Sequence, residues 1–201
     1  MSLFDGNPNK IYENIKKLLI IGAKDRNHAF HTPVFSNNNN NQGVNSRVIV
    51  LRKFNHNNLT LIFNTDNRSP KITDLHNNSQ SNFVFYDPKI KIQLRIQTFT
   101  KIHHNNYLTS EVWKETRLFS RKCYLTQKAP SSITNKAEDG IPAHLEGIDP
   151  GKDESESGYY NFSVIENFIK EIDWLYLASS GHRRLKIIFQ NNTPLFKWII
   201  P

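Results

Sequence analysis

Residues 62–75, IFNTDNRSPKITDL, place two hydroxyls (Thr65, Ser69) and two cations (Arg68, Lys71) close together at the end of an apolar run. Ser69-Pro70 reads as a helix start, with Ser at the N-cap and Pro at the first helical position. If Ser69 caps that helix, its free N–H groups and dipole point where Lys71 can also reach. Such a constellation can bind a dianionic phosphate, helped by an arginine. Two arginines bracket the preceding strand: Arg47 opens it and Arg52 closes it. On an ideal strand they face opposite sides. The same residues also read as a plain solvated turn, since Ser-Pro caps and exposed lysines are ordinary. Residue chemistry alone leaves both readings open.

The elements that must carry these side chains follow from periodicity. Ile11, Ile15, Leu18 and Leu19 in 9–23 have helical spacing. Residues 28–46 read as loop, with a mobile Asn run at 37–41 whose asparagines look like compositional drift. SRVIVLRKF (46–54) is apolar on both faces at its centre and predicts a central strand, paired in a hairpin with LTLIFNT (59–65). A helix at 69–78 and a strand at 81–87 follow. KIKIQLRIQTFTKIH (89–103) alternates cleanly, with Ile90, Ile92, Leu94, Ile96 and Ile102 on one face. Residues 106–124 predict one helix with Leu108, Val112 and Trp113 on a common side. Residues 131–158 read as a long surface loop, and four further strands complete the chain. The expected fold is mainly β with peripheral helices, an antiparallel barrel. It forms a single domain over 1–201 with flexible loops at about 35–45 and 131–158.

Bulk properties narrow the function classes. The 201 residues carry a net charge of +8, with a pI near 9.5 and a mean hydropathy of −0.58. Residues 131–160 hold seven carboxylates against two lysines, a net −5 that leaves +13 on the remainder. A basic body attracts anions, whether nucleic acid, membrane or phosphorylated small molecules. No apolar run approaches the roughly 20 residues of a membrane span, and KKLLIIGA (16–23) does not suit a signal peptide. The single cysteine, Cys123, rules out an internal disulfide and fits a reducing, cytoplasmic setting. It reads as a small filler residue. No GxGxxG, P-loop, HExxH, CxxC or GxSxG is present, so no metal site is expected. His103, His104 and His182 read as strand-end or core histidines. A nucleic-acid partner is not expected, because the basic body lacks an aromatic-interleaved stripe or a recognition helix.

RVIVLRKF, LTLIFNTDNRSPKITDLHNN, NFVFYD and KIQLRIQ, in that order and spacing, resemble the pyridoxamine 5'-phosphate oxidase-like flavoproteins, the FMN-binding split barrels. GHRRLKIIF and KWIIP near the C-terminus extend the resemblance. It implies a homodimer with FMN at the subunit interface. Arg47 and Lys71 would hold the FMN phosphate with Thr65 and Ser69. The backbone of Val48, Ile49, Val50 and Leu51, running into Arg52, would line the isoalloxazine, and Gln93 would meet its polar edge. Ser131 matches a position reached from the partner subunit, although Pro130 stands where the oxidase has Gln.

The resemblance also implies a substrate site at Arg52, Trp113, Arg117 and Arg183. Here the chain departs from the vitamin B6 oxidase. Leu185 replaces a His, Leu or Tyr at 175–177 replaces a Trp, and Ile187 replaces an Arg. The expected function is therefore an FMN-dependent oxidoreductase acting on a small anionic substrate. Oxidation of pyridoxamine or pyridoxine 5'-phosphate is the first alternative, and a non-catalytic flavin- or haem-binding module the second.

Overall fold

The computed structural model describes residues 6–39 and 43–201. Five helices are α1 (Pro8–Lys24), α2 (Pro70–Asn77), α3 (Tyr107–Glu115), α4 (Leu118–Arg121) and α5 (Lys152–Glu156). Nine strands are β1 (Val34–Asn38), β2 (Val44–Val48), β3 (Lys53–Asn55), β4 (Thr60–Asp66), β5 (Gln80–Asp87), β6 (Ile92–His104), β7 (Phe162–Tyr176), β8 (Arg183–Gln190) and β9 (Thr193–Ile199). They form one antiparallel sheet in the order β2-β1-β5-β6-β7-β4-β3, with β8 on β7 and β9 on β8. Strand β7 has 15 residues. Its first half pairs with β4 and its second half with β8, while β6 runs along most of its length. The sheet does not close, and the architecture is the expected split barrel.

The segment predicted as one central strand over 46–54 instead divides. Strand β2 ends at Val48 and β3 begins at Lys53. Between them Ile49 and Leu51 donate to the Pro33 and His31 carbonyls, and Arg52 donates to Ile62. The chain thus leaves one sheet edge and joins the other within four residues, which spans the split. Its apolar residues serve that crossing: Leu51 is fully buried, whereas Val48 is 63% exposed. The predicted loop at 28–46 contains a hairpin, β1 against β2, in register from Val34↔Val48 to Asn38↔Val44. Residues 40–42, including two of the Asn run, lie outside the described residues.

Helix α1 begins as its sequence dictates. Asn7 accepts from the Asn9 and Lys10 amides, Pro8 follows, and Ile11, Ile15, Leu18 and Leu19 are buried against the barrel. The alternation of β6 buries Ile92, Leu94 and Ile96, but the strand starts at Ile92 because Lys91 adopts a left-handed turn conformation, φ 56°. Inside the barrel Phe35, Phe63 and Phe83 pack with centroids 4.9–6.2 Å apart. Such aromatic clusters add directional contacts to a large burial of apolar area.

The helix predicted over 106–124 breaks at Thr116–Arg117, where Thr116 takes an extended backbone. The buried Arg121 explains the break. Its guanidinium donates to the Thr116 and Trp113 carbonyls, to Ser155 Oγ and to Glu156, and covers the Trp113 ring at 4.6 Å. Trp113 Nε1 donates to the other oxygen of Glu156 at 3.0 Å. These contacts fasten α5, the end of the acidic segment, to α3. Cys123 is exposed, not a filler in the core.

Two outcomes follow from this packing. Phe63→Ala, at a site 1% exposed, is expected to cost about 3–5 kcal/mol in denaturant unfolding, and a loss under 1 kcal/mol would contradict the packing. Arg121→Met should release α5, so limited proteolysis within 127–151 is expected to accelerate while chemical shifts of the barrel core hold. An unchanged cleavage rate would show that the segment is held by other contacts.

Candidate functional site

Strand β4 delivers the proposed phosphate-binding residues. It ends at Thr65 and Asp66, both buried, and the chain turns into α2 through Ser69-Pro70. Lys71 Nζ donates to Thr65 Oγ1 at 2.8 Å and to Ser69 Oγ at 2.7 Å. Ser69 occupies the N-cap position, yet its side chain makes no capping hydrogen bond. Its hydroxyl faces the lysine instead, so the expected cap is absent; Pro70 has no N–H, and the Ile72 amide donates to the Ser69 carbonyl at 2.9 Å.

Two cations meet here. Burial and the nearby Arg47 pull the Lys71 pKa down to about 8, against a partial opposing pull from Asp66. Burial also lowers the Arg47 pKa, opposed by Asp74. Arg47 donates to Asn37 Oδ1 and lies 5.7 Å from the centre of the Phe35 ring. Asn37 Nδ2 in turn donates to Asp74 Oδ2 at 3.2 Å, and Asn45 approaches the same oxygen at 3.5 Å. Arg47 is thus held by the β1–β2 hairpin and α2 together. Asn37, one of the asparagines read as drift, is only 2% exposed and orients this arginine. No sequence signal marked it, because its strand was not recognised.

Arg68 is not part of the cluster. Its guanidinium pairs with Asp66 at 2.7 Å and donates to the Thr126 carbonyl and hydroxyl, both at 2.9 Å. Asn67 is held too: its amide donates to the Asn161 carbonyl at 2.7 Å, and its Oδ1 accepts from Ser163 Oγ at 2.9 Å. These bonds bolt the 66–69 turn to the chain around 124–126 and to β7. Sequence reading counted Arg68 among the anion-binding cations and missed this anchoring role.

The remaining expected cofactor residues are dispersed around the split. Val48 is exposed, Ile49 and Val50 are half-buried, and Leu51 belongs to the core. Gln93 is half-buried on β6, opposite Leu175 of β7 and Tyr86 of β5. Ser131 is exposed with φ 71°, and among the described residues it makes no hydrogen bond to the Lys71 cluster.

The expected substrate residues separate. Arg52 and Arg117 line one cavity of about 390 Å³, formed on the outer face of β4 and β7 between α3 and the end of α1. Ile62, Asn64, Val112, Thr116 and Ser120 also line it, as do the cations Lys24, Arg26 and Lys53 and a single carboxylate, Glu115. Trp113 is not among them. It is buried with Tyr124, Phe162 and Val164 in a second apolar cluster, its N–H held by Glu156. Arg183 stands at the exposed start of β8 and donates to the Gly181 and His182 carbonyls. A larger cleft of about 950 Å³ lies within 127–147 against Lys122, but its charges are mixed and Lys128 pairs with Glu138 at 2.7 Å.

His103 lies 3.1 Å from Glu166, and His104 bonds the Phe162 carbonyl. Among the described residues no group of three or more His, Cys, Asp or Glu could hold a metal ion, and no helix is long and apolar enough to cross a membrane.

The donor set at Lys71, Ser69, Thr65 and Arg47 fits a phosphate. Arg47 is near enough to lower the Lys71 pKa, and Lys71 holds two hydroxyls, so an anion would relieve the repulsion between the two cations.

Residues 15–104, a little under half the chain, match the family model described as pyridoxamine 5'-phosphate oxidase, FMN-binding domain. No curated protein matches the chain. Among solved structures, a pyridoxamine 5'-phosphate oxidase-related, FMN-binding protein from Nostoc punctiforme superposes with a TM-score of 0.72 at 16% identity, covering 94% of this chain and 96% of that one. PhzG from Burkholderia lata, in complex with tetrahydrophenazine-1-carboxylic acid, gives 0.72 at 14% identity over 100% and 97%. A protein related to general stress protein 26 from Clostridium acetobutylicum gives 0.54 at 11% over 96% and 97%. Residues 15–104 are thus similar to that FMN-binding domain, and the whole chain shares the split-barrel fold of these structures.

Proposed function

We propose that this protein is an FMN-dependent oxidoreductase that acts on a small anionic substrate. The observation that carries the reading is the convergence of Lys71 Nζ on the Thr65 and Ser69 hydroxyls beside Arg47. Arg47 and Lys71 bind the FMN phosphate by charge-assisted hydrogen bonds, and Thr65 and Ser69 complete the cradle. The 48–51 backbone and Gln93 lie along the isoalloxazine. The flavin supplies the hydride-transfer chemistry when bound.

The protein's own part is position and charge. Arg52 and Arg117 hold the substrate's anion in the cavity under α3, and the carboxylic acid ligand of PhzG is an anion of that class. Trp113 and Arg183 stand outside that cavity within one chain, which weakens the vitamin B6 alternative. Exposed Val44 and Val48 on β2 flank the Arg47 region, and we assign that edge to a second copy of the chain, with FMN at the interface.

Arg47→Ala with Lys71→Ala is expected to abolish FMN retention, read from the visible spectrum after desalting, with the far-ultraviolet CD unchanged. Retention equal to that of the parent chain would sink the phosphate assignment.

Lys71 also sets a pH dependence. Its folded pKa lies below its unfolded value of 10.5. Between about 8 and 10.5 the unfolded chain binds more protons, so the ligand-free protein should gain stability as pH rises through that window. FMN binding needs the protonated amine, so FMN affinity should fall over the same window. Titrations at pH 7, 8.5 and 9.5 test this, and Lys71→Met should weaken binding and remove most of the slope. A slope unchanged in that variant would exclude Lys71 as its source.

A further inference from the structure

Strand β4 presents Thr65 and Asn64 to opposite faces, because consecutive strand residues alternate. Thr65 belongs to the phosphate cradle. Asn64 belongs to the cavity that contains Arg52 and Arg117. Its side-chain oxygen is sealed from solvent and has no hydrogen-bond partner among the described residues. A buried polar group without a partner is costly, and native structures rarely keep one without a reason. Among the described residues neither end of the amide is hydrogen-bonded, so a half-turn about χ2 exchanges the sealed oxygen for the NH2 at the cavity wall without breaking a bond, and a ligand can meet whichever end faces the cavity. The neighbours at that depth, Ile62 and Val164, offer no side-chain polar group to compete for it.

We propose that Asn64 is a specificity residue, and that the cavity takes a substrate carrying a hydroxyl or amino group in addition to its anion. The inference rests on the reading of this cavity as the substrate site. Arg52 and Arg117 neutralise the anion, while the Asn64 amide pairs with the second polar group. The two interactions act on different parts of the ligand. A site whose buried amide must be satisfied discriminates against an isosteric ligand that lacks the polar group, because that ligand leaves the amide unpaired.

The test uses the 201-residue chain supplied with excess FMN and two families of near-isosteric probes, the 2-, 3- and 4-hydroxyphenyl phosphates and the matching methylphenyl phosphates. Isothermal titration measures each affinity. At least one hydroxyl isomer is expected to bind about tenfold more tightly than its methyl counterpart. Asn64→Leu should erase that preference by weakening the hydroxyl probe alone, whereas Arg52→Ala with Arg117→Ala should weaken both families. Asn64→Leu should also leave the ligand-free Tm unchanged or raised, since it removes an unsatisfied buried group. A clear drop in that Tm would make Asn64 structural and overturn the proposal. So would a preference that survives Asn64→Leu, or equal affinity for every pair. If the parent chain binds neither family, the cavity is not the anion site and both readings fall, whereas retained FMN with no hydroxyl preference overturns the role of Asn64 alone.

Discussion

Everything at the candidate site depends on holding two positive charges, Arg47 and Lys71, close together in a half-buried place. Like charges repel, and burial strips them of water, so the ligand-free arrangement carries a cost visible in the depressed lysine pKa. Each cation is therefore tied down separately. Arg47 is held through Asn37 to Asp74, while Lys71 is held by two hydroxyls. Asp74 lies on α2 and Asn37 on β1, so the helix and the hairpin must dock before Arg47 is placed.

That requirement accounts for features that look incidental one at a time. The Ser69 hydroxyl forgoes its capping bond to face Lys71. Arg68 is engaged by Asp66 and Thr126, which fixes the turn against the segment after α4. The acidic stretch is itself moored by Arg121 and Trp113 through Glu156. Just beyond that segment Asn161 donates to the Tyr124 carbonyl and accepts from the Asn67 amide, so the turn is tied to residues 124–126 through Asn161 as well as through Arg68.

Adjacent residues of β4 divide the chemistry. Thr65 serves the cradle and Asn64 the cavity, so one strand sets the positions of the proposed cofactor phosphate and the proposed substrate. Its place in the sheet, between the long strand β7 and the edge strand β3, holds both sites to the same element.

The sequence by itself determined the alternating β6, the buried face of α1, the Ser-Pro entry to α2 and the grouping of Thr65, Ser69 and Lys71, because each is a local pattern of period or spacing. Those residues, in their order along the chain, were enough to indicate the split barrel. Tertiary structure decided what depends on distant partners. It divided the 46–54 run between two sheet edges, because its amides find acceptors first on His31 and Pro33 and then on Ile62. It made Asn37 a buried support, turned Arg68 into an anchor on Thr126, sent Trp113 into an apolar cluster and left the Asn64 oxygen without a partner among the described residues. None of these could be read locally, since a polar side chain's role is fixed by the donors and acceptors that folding brings to it, and those lie tens of residues away in the chain.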